Sequence, residues 1–245
     1  MLSANDLRDA FGRALSDYLR GRGRGYEIVE RDDGYINISG GRDAYLAGFS
    51  RWPAHHRRAM RYARGRVLDV GCGAGRHALY LQRLGLDVLG IDASPLAVRV
   101  CRQRGLREAR VMSLTQIGSA LGTFNTVLML GANFGLFANP RRARWLLRRL
   151  CAITEQDARI IAESVDPYQT DNPFHRAYHR RNRRRGRMAG QVRIRVRYER
   201  YATPWFDYVF VSRGEMRAIL RGTGWAVRRF LPVRGPFYIA VIAKT

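Results

Sequence analysis

Residues 66–94 read RVLDVGCGAGRHALYLQRLGLDVLGIDAS. Val67–Val70 is a short run of strand formers interrupted by one acid, Asp69, and Gly71, Gly73 and Gly75 follow at alternate positions. Arg76–Leu84 has helical spacing and stops at Gly85, a residue type that closes helices. Asp87–Ile91 is a second apolar run with Asp92 at its end. Strand, glycine turn, helix and second strand make one parallel β-α-β unit. Glycines in such a turn let the backbone bend sharply and let a ligand come close.

Three features say which ligand. The dinucleotide fingerprint is G-x-G-x-x-G, with a pyrophosphate on the helix N-terminus. Here the spacing is G-x-G-x-G, and Arg76 stands where the last glycine belongs. Asp69 lies beside the turn, where a carboxylate repels pyrophosphate and favours positive charge. Asp92 ends the second strand, the place from which an acid accepts ribose hydroxyls. A nucleoside with a cationic tail fits all three features.

Outward from this stretch the pattern keeps alternating. Ser94-Pro95 caps a helix that Gly105 ends. Arg110–Met112, Phe124–Leu130 and Arg159–Glu163 read as strands three to five, with a helix from Asn139-Pro140 to about Ile153. This order implies an α/β, Rossmann-like doubly wound sheet. GWAVRRFLP and GPFYIAVIAK are joined by a short Pro/Gly turn, so the last strand is antiparallel in a mostly parallel sheet. Ser212 and Glu215 form a capping box before a helix that ends near Gly222.

Residues 3–20 place Leu7, Phe11, Leu15, Tyr18 and Leu19 on one helical face. Asp33-Gly34 marks a hairpin, and 42–64 reads as helix interrupted near Pro53. Residues 1–64 are therefore a cap before a domain at 65–245. Residues 166–190 are polar and arginine-rich. QVRIRVRYER then alternates strictly and pairs with WFDYVFV, so 166–211 is an insertion expected to cover the substrate, its first part as a mobile lid.

VLDVGCGAG followed by GIDAS resembles the first two cofactor motifs of class I S-adenosylmethionine-dependent methyltransferases. TFNTVLML is similar to their fourth strand, RIIAES to their fifth, and the closing pair to their last two. The resemblance implies S-adenosylmethionine as cofactor. It places Asp69 and the loop Gly71, Cys72, Gly73 and Gly75 beside the methionine portion, and Asp92 with Ala93 at the ribose. Ser113 and Leu114 edge the adenine; Leu130 and Gly131 lie under the ligand. Many relatives carry Asp where Ser113 stands, and the serine hydroxyl takes over its acceptor role.

Methyl transfer from a sulfonium is an in-line displacement that rests on proximity and alignment, and needs a base only for a protonated nucleophile. Candidate groups follow strands four and five. In GANFGLF (131–137) either Asn133 orients a substrate and Phe134 and Phe137 wall it, or these residues form an ordinary buried turn. In ESVDPYQTDNPFHRAYH (163–179), Glu163, Asp166, Tyr168, His175 and His179 titrate. The histidines are four apart and share a face if the segment is helical. They are a base, a metal pair or packing residues. Asn133, Tyr168, His175 and His179 form the catalytic set. Asp171-Asn172 is similar to the pair of magnesium-dependent O-methyltransferases, but GANFGLF lacks their further aspartate, and no third ligand accompanies the histidines. No metal is expected.

Lys+Arg number 44 against 20 Asp+Glu, a formal charge of +24. Such charge suggests nucleic acid. Lys244 is the only lysine, however, and the arginines are spread along the chain, as codon bias would leave them. The expected acceptor is a small molecule. Arg193, Arg195 and Arg197, on one strand face, either receive an acidic group on it or are solvated. An RNA methyltransferase and a non-catalytic cofactor-binding protein are the rival readings. Tyr45, Phe49 and Trp52 either close over the cofactor or pack the core. No apolar run reaches eighteen residues, MLSANDLRDAFGRAL lacks a signal-like apolar core, and the cysteines, 72, 101 and 151, lack metal spacing. A cytoplasmic protein with reduced thiols and no membrane contact is expected.

Overall fold

The computed structural model describes residues 8–231 and 233–245. The first turn of the helix expected at 3–20 lies outside them. The chain folds as two compact units, one of residues 1–57, 68–116 and 193–206, the other of 58–67, 117–192 and 207–245.

In the first unit, helix α1 (Ala10–Leu19) starts at Asp9, whose Oδ1 accepts from the Gly12 amide at 2.9 Å. Asp9 Oδ2 accepts from Ser94 Oγ at 2.8 Å and the Leu96 amide at 3.0 Å. One carboxylate thus serves two helix N-termini, where negative charge is favoured. Strands β1 (Ile28–Arg31) and β2 (Ile36–Ile38) form the hairpin around Asp33-Gly34. The region expected as one interrupted helix is two six-residue helices, α2 (Gly41–Leu46) and α3 (Ala54–Ala59), with 3-10 turns at Phe49–Arg51 and Met60–Tyr62.

β3 (Val67–Val70), α4 (Arg76–Arg83), β4 (Val88–Asp92), α5 (Pro95–Gln103) and β5 (Glu108–Val111) follow. β4 and β5 are parallel, with Leu89 opposite Glu108 and Asp92 opposite Val111. β5 thus starts earlier than the apolar residues suggest. α1 packs Ala14, Leu15 and Tyr18 into one cluster with Ala74 of the glycine loop and Ala97 and Val100 of α5.

The second unit carries β6 (Phe124–Met129), α6 (Pro140–Ala152), β7 (Thr154–Val165) and α7 (Pro173–Arg184). After β8 (Gln191–Tyr198) and β9 (Tyr201–Ala202) come β10 (Phe206–Val209), α8 (Arg213–Leu220), β11 (Trp225–Leu231) and β12 (Phe237–Lys244). β7 is parallel to β6 and antiparallel to β12, which is antiparallel to β11. The large sheet has the order β11-β12-β7-β6-β3-β4-β5, the mostly parallel sheet expected. β7 runs to twelve residues because polar Glu155, Gln156 and Asp157 form its exposed start. α8 opens with the complete Ser212–Glu215 capping box.

The small sheet joins two pieces that were expected apart, the hairpin at Asp33-Gly34 and the paired strands of the insertion. Its order is β10-β8-β1-β2, and β1 is antiparallel to β8, with Ile28 opposite Arg197. The N-terminal hairpin and the inserted strand therefore share hydrogen bonds. No helix among the described residues is long and apolar enough to cross a membrane.

Candidate functional site

β3 is buried along its length, and its chain end turns back at once. The Gly71 and Cys72 amides donate to the Ile91 carbonyl at 2.9 and 3.1 Å, and the Gly75 amide donates to the Cys72 carbonyl at 2.8 Å. Gly71, Gly73 and Gly75 have φ of +68°, +55° and +74°, a region costly for any residue with a Cβ. Gly75 caps α4 without a side-chain acceptor of its own. Cys72 and Cys101 are buried free thiols with sulfurs 3.7 Å apart, and Cys101 Sγ–H donates to the Gly73 carbonyl at 3.0 Å.

Asp69 is 3% exposed. It accepts from the Ala78 amide, and its Oδ2 has no hydrogen-bond partner. Burial first, then the nearby Asp92 carboxylate, push its carboxyl up to about 7. A buried carboxylate with an open oxygen fits a cationic group. Asp92 differs from expectation. Its Oδ2 accepts from the Gly73 amide and its Oδ1 from the Ser94 amide, each at 2.9 Å. The residue expected only to hold a ribose also ties the glycine loop to the start of α5. Each oxygen keeps a second lone pair for a hydroxyl, and burial raises this carboxyl too. Ala93 is exposed beside it and Leu114 is buried. Ser113 donates its amide to Gln116 Oε1 at 2.7 Å, and its hydroxyl lies 3.0 Å from that of Thr115.

Sequence reasoning missed a cluster beside this loop. Arg76 Nη2 lies 3.0 Å from His56 Nδ1 and 3.1 Å from His77 Nε2, and these ring nitrogens are 3.3 Å apart. An arginine only donates, so each of these nitrogens turns a lone pair to it. Trp52 lies under the Arg76 guanidinium at 5.4 Å, and Phe49 stacks on Tyr80 at 4.2 Å. Phe49 and Trp52 thus pack this cluster, while Tyr45 donates its hydroxyl to Glu27 at 2.5 Å. The only signal in the sequence was Arg76 in place of a fingerprint glycine.

In the second unit, buried Leu130 leads into a turn at Gly131 and Ala132, with φ of +76° and +62°. Glu163 Oε2 accepts from both their amides, at 2.6 and 2.9 Å, and Tyr208 donates its hydroxyl to the Ala132 carbonyl at 2.7 Å. A glutamate considered for titration is a brace for the loop that carries Asn133. Phe134 and Phe137, expected as walls, are fully buried and stack edge to face at 5.0 Å, so they pack the core.

Residues 166–190, expected as a polar cover, contain α7, which buries Tyr178, His179 and Asn182. Asn182 fixes it by donating to the Ala189 and Gln191 carbonyls at 2.9 and 2.5 Å. His175 is partly exposed, with Nδ1 3.2 Å from Thr170 Oγ1. His179 lies one turn on, its ring 6.4 Å from that of Tyr168. Tyr168 donates its hydroxyl to Glu215 at 2.6 Å; burial and that carboxylate push it up to about 12. It stays protonated at neutral pH and is no base. In the first unit, Arg195 and Arg197 meet Glu30 at 2.9 and 3.3 Å, so the arginine face already holds an internal carboxylate.

Residues 67–156 match the family model described as a methyltransferase domain. A solved S-adenosylmethionine-dependent methyltransferase from Bacteroides fragilis, in complex with S-adenosylhomocysteine, superposes with a TM-score of 0.82. It is 25% identical, over 100% of this chain and 98% of that one. A ubiquinone biosynthesis O-methyltransferase of Xanthomonas oryzae is 39% identical over 71 residues, 26% of this chain. A magnesium-protoporphyrin O-methyltransferase of Rhodobacter capsulatus is 35% identical over 69 residues. This chain spans about 30% of the length of these curated relatives. Residues 67–156 thus match a methyltransferase domain, and the glycine loop, the two strand-end acids and the sheet order go with a fold similar to that of S-adenosylmethionine-dependent methyltransferases.

Proposed function

We propose that the protein transfers the methyl of S-adenosylmethionine to a hydroxyl of a small molecule, by proximity and in-line alignment. The observation that carries the reading is Asp69, a buried carboxylate with an open oxygen beside three left-handed glycines. It fits a cationic nucleoside derivative and is costly to keep otherwise. Both curated relatives named above are O-methyltransferases of small molecules, which supports the acceptor class.

When bound, the cofactor supplies an activated methyl. Asp69 would accept from its cationic end, Asp92 from the ribose, and Ser113 and Leu114 would edge the adenine. Leu130 and Gly131 would lie beneath it. Asn133, carried on the braced turn, would orient the acceptor. His175 and His179 are the residues to take its proton, His175 being the more exposed. Tyr168 would orient through its hydroxyl. The arginines argue little for RNA: Arg195 and Arg197 hold Glu30, Arg31 holds Asp33 at 2.7 Å, and Arg176 holds Asp171 at 2.5 Å.

The test is a transfer assay with methyl-labelled cofactor against a panel of phenols, other hydroxylated metabolites, amines and structured RNA. Label is expected in a hydroxylated small molecule, with His175→Ala lowering turnover by about 10²–10⁴-fold where a base is used and Asn133→Ala lowering it by about 10²-fold through lost positioning. Label in RNA alone overturns the acceptor class. No transfer to any acceptor, with the cofactor bound, leaves the non-catalytic reading standing.

A further inference from the structure

The aim of the Asp92 carboxylate depends on two neighbours. Its Oδ1 accepts from the Ser94 amide and its Oδ2 from the Gly73 amide, so it follows the positions of Ser94 and the glycine loop. Ser94 is itself held by a residue far back in the chain. Its hydroxyl donates to Asp9 Oδ2 at 2.8 Å while accepting from the Ala97 amide at 2.9 Å. The Leu96 amide donates to the same Asp9 oxygen at 3.0 Å. Pro95 brings no amide, so Asp9 and Ser94 between them take the first two amides of α5.

Capping alone does not call for an acid at position 9. Asn or Ser caps a helix as well as Asp does, and a neutral cap would spare Asp92 a second negative charge. The Asp92 carboxyl is raised first by burial and, among smaller effects, by the Asp9 charge. Asp9 takes three donors at once, the Gly12 and Leu96 amides and the Ser94 hydroxyl. An amide side chain has one acceptor oxygen, and its nitrogen would turn a donor toward donors; a carboxylate only accepts, and so serves both helices. The backbone is shaped to the same contact. A Cβ at Gly12 would run into Ser94 Oγ and lie 2.6 Å from Leu96 Cβ, so only glycine lets α1 come this close to the start of α5. Glycine within a helix weakens it, and the close approach is what it permits here. α1 also reaches the glycine loop: a Cβ at Gly73 would lie 3.6 Å from Phe11 Cζ and 4.0 Å from Leu15 Cδ1.

We infer that Asp9 is a positioning residue of the cofactor site, holding Ser94, and through it Asp92, in the aim that the ribose hydroxyls require. The role rests on the reading of Asp92 as the ribose acceptor, and Asp9 acts only through Ser94.

Calorimetry with S-adenosylhomocysteine and its 2′-deoxy analogue tests this. The native protein should bind the analogue about tenfold or more weakly, for a lost hydroxyl contact to a carboxylate. Asp9→Ala and the milder Asp9→Asn should bring that ratio below about threefold, because a displaced Asp92 no longer separates the two ligands. The ratio does not depend on how much of a variant is folded, since both ligands draw on the same folded fraction. Asn139→Ala is the control. It removes the cap of α6 in the second unit, where Asn139 Oδ1 accepts from the Arg142 amide at 2.9 Å. It should lower the unfolding midpoint and leave the ratio at its native value. A native ratio in both Asp9 variants would overturn the role and leave Asp92 at the ribose. No discrimination by the native protein would remove Asp92 from the ribose, and the role of Asp9 with it. A ratio that falls as far in Asn139→Ala would show that loosening any helix has this effect, and would overturn the role as well.

Discussion

The turns after β3 and after β6 are alike in outline and opposite in what they leave open. Each follows a buried parallel strand, each uses left-handed backbone, and each has a buried carboxylate, Asp69 or Glu163. They are about equally buried, at 3% and 2% exposure. Glu163 accepts from two turn amides through one oxygen, whereas Oδ2 of Asp69 accepts from none. The first arrangement spends its hydrogen-bonding capacity on the fold. The second leaves one oxygen unspent, at a cost in stability, and that oxygen is the one we propose faces a ligand. Burial alone does not separate a structural acid from a binding acid; the inventory of partners does.

Asp69→Asn should break the contrast most sharply. Cofactor affinity should fall about a hundredfold or more, roughly 3 kcal/mol for a lost charge-assisted contact. The cofactor-free variant should at the same time unfold at higher temperature at pH 8. The native carboxyl sits near 7, above its unfolded value, so its ionisation disfavours the folded state as pH rises through the window from about 4 to about 7. Calorimetry and a thermal scan read the two effects; a variant that binds normally would remove Asp69 from the site.

Glu163→Ala should show the converse. It orphans two turn amides, each costing roughly 1–3 kcal/mol, so the unfolding midpoint should fall by several degrees. An unchanged midpoint would mean that the turn is held by other contacts. Asp92→Ala should weaken cofactor binding by roughly 1.5–3 kcal/mol, through lost hydroxyl contacts and a loosened loop. Unchanged affinity would confine Asp92 to bracing. A milder probe is pH. The cationic ligand needs ionised Asp69, so its dissociation constant should rise about tenfold between pH 8 and pH 6. A flat profile would show that Asp69 does not face the charge. The smallest effect is expected from Arg195→Ser, below about 1 kcal/mol in stability and without change in turnover, because its Glu30 pair is partly exposed. A large loss of turnover would restore that arginine face as an acceptor site.

The core of this picture was legible from residues 66–94, because glycine spacing, strand ends and acid positions are all local. What escaped depends on partners far away in sequence. Nothing near Val29 or Val196 announces that they face each other across two strands. The polar start of β7 looks like loop until its neighbours are known. Phe134 and Phe137 are apolar in a loop, and only the structure tells a core pair from a substrate wall. Arg76 was visible as a departure from a fingerprint, but its two histidine acceptors come from 20 residues upstream and from the adjacent position.

The pairing of β1 with β8 also sets a timetable. Glu30 and Arg195 are 165 residues apart. At a synthesis rate of roughly 5–20 residues per second, the outer edge of β1 waits on the order of 10–30 s for its neighbour to be made. During that interval the N-terminal hairpin presents an unpaired strand edge, the form of chain most open to wrong pairing. Closing so long a loop makes the small sheet a late step in folding. Newly made chains interrupted before residue 191 would carry the whole glycine loop and still lack the strand that completes the hairpin's sheet.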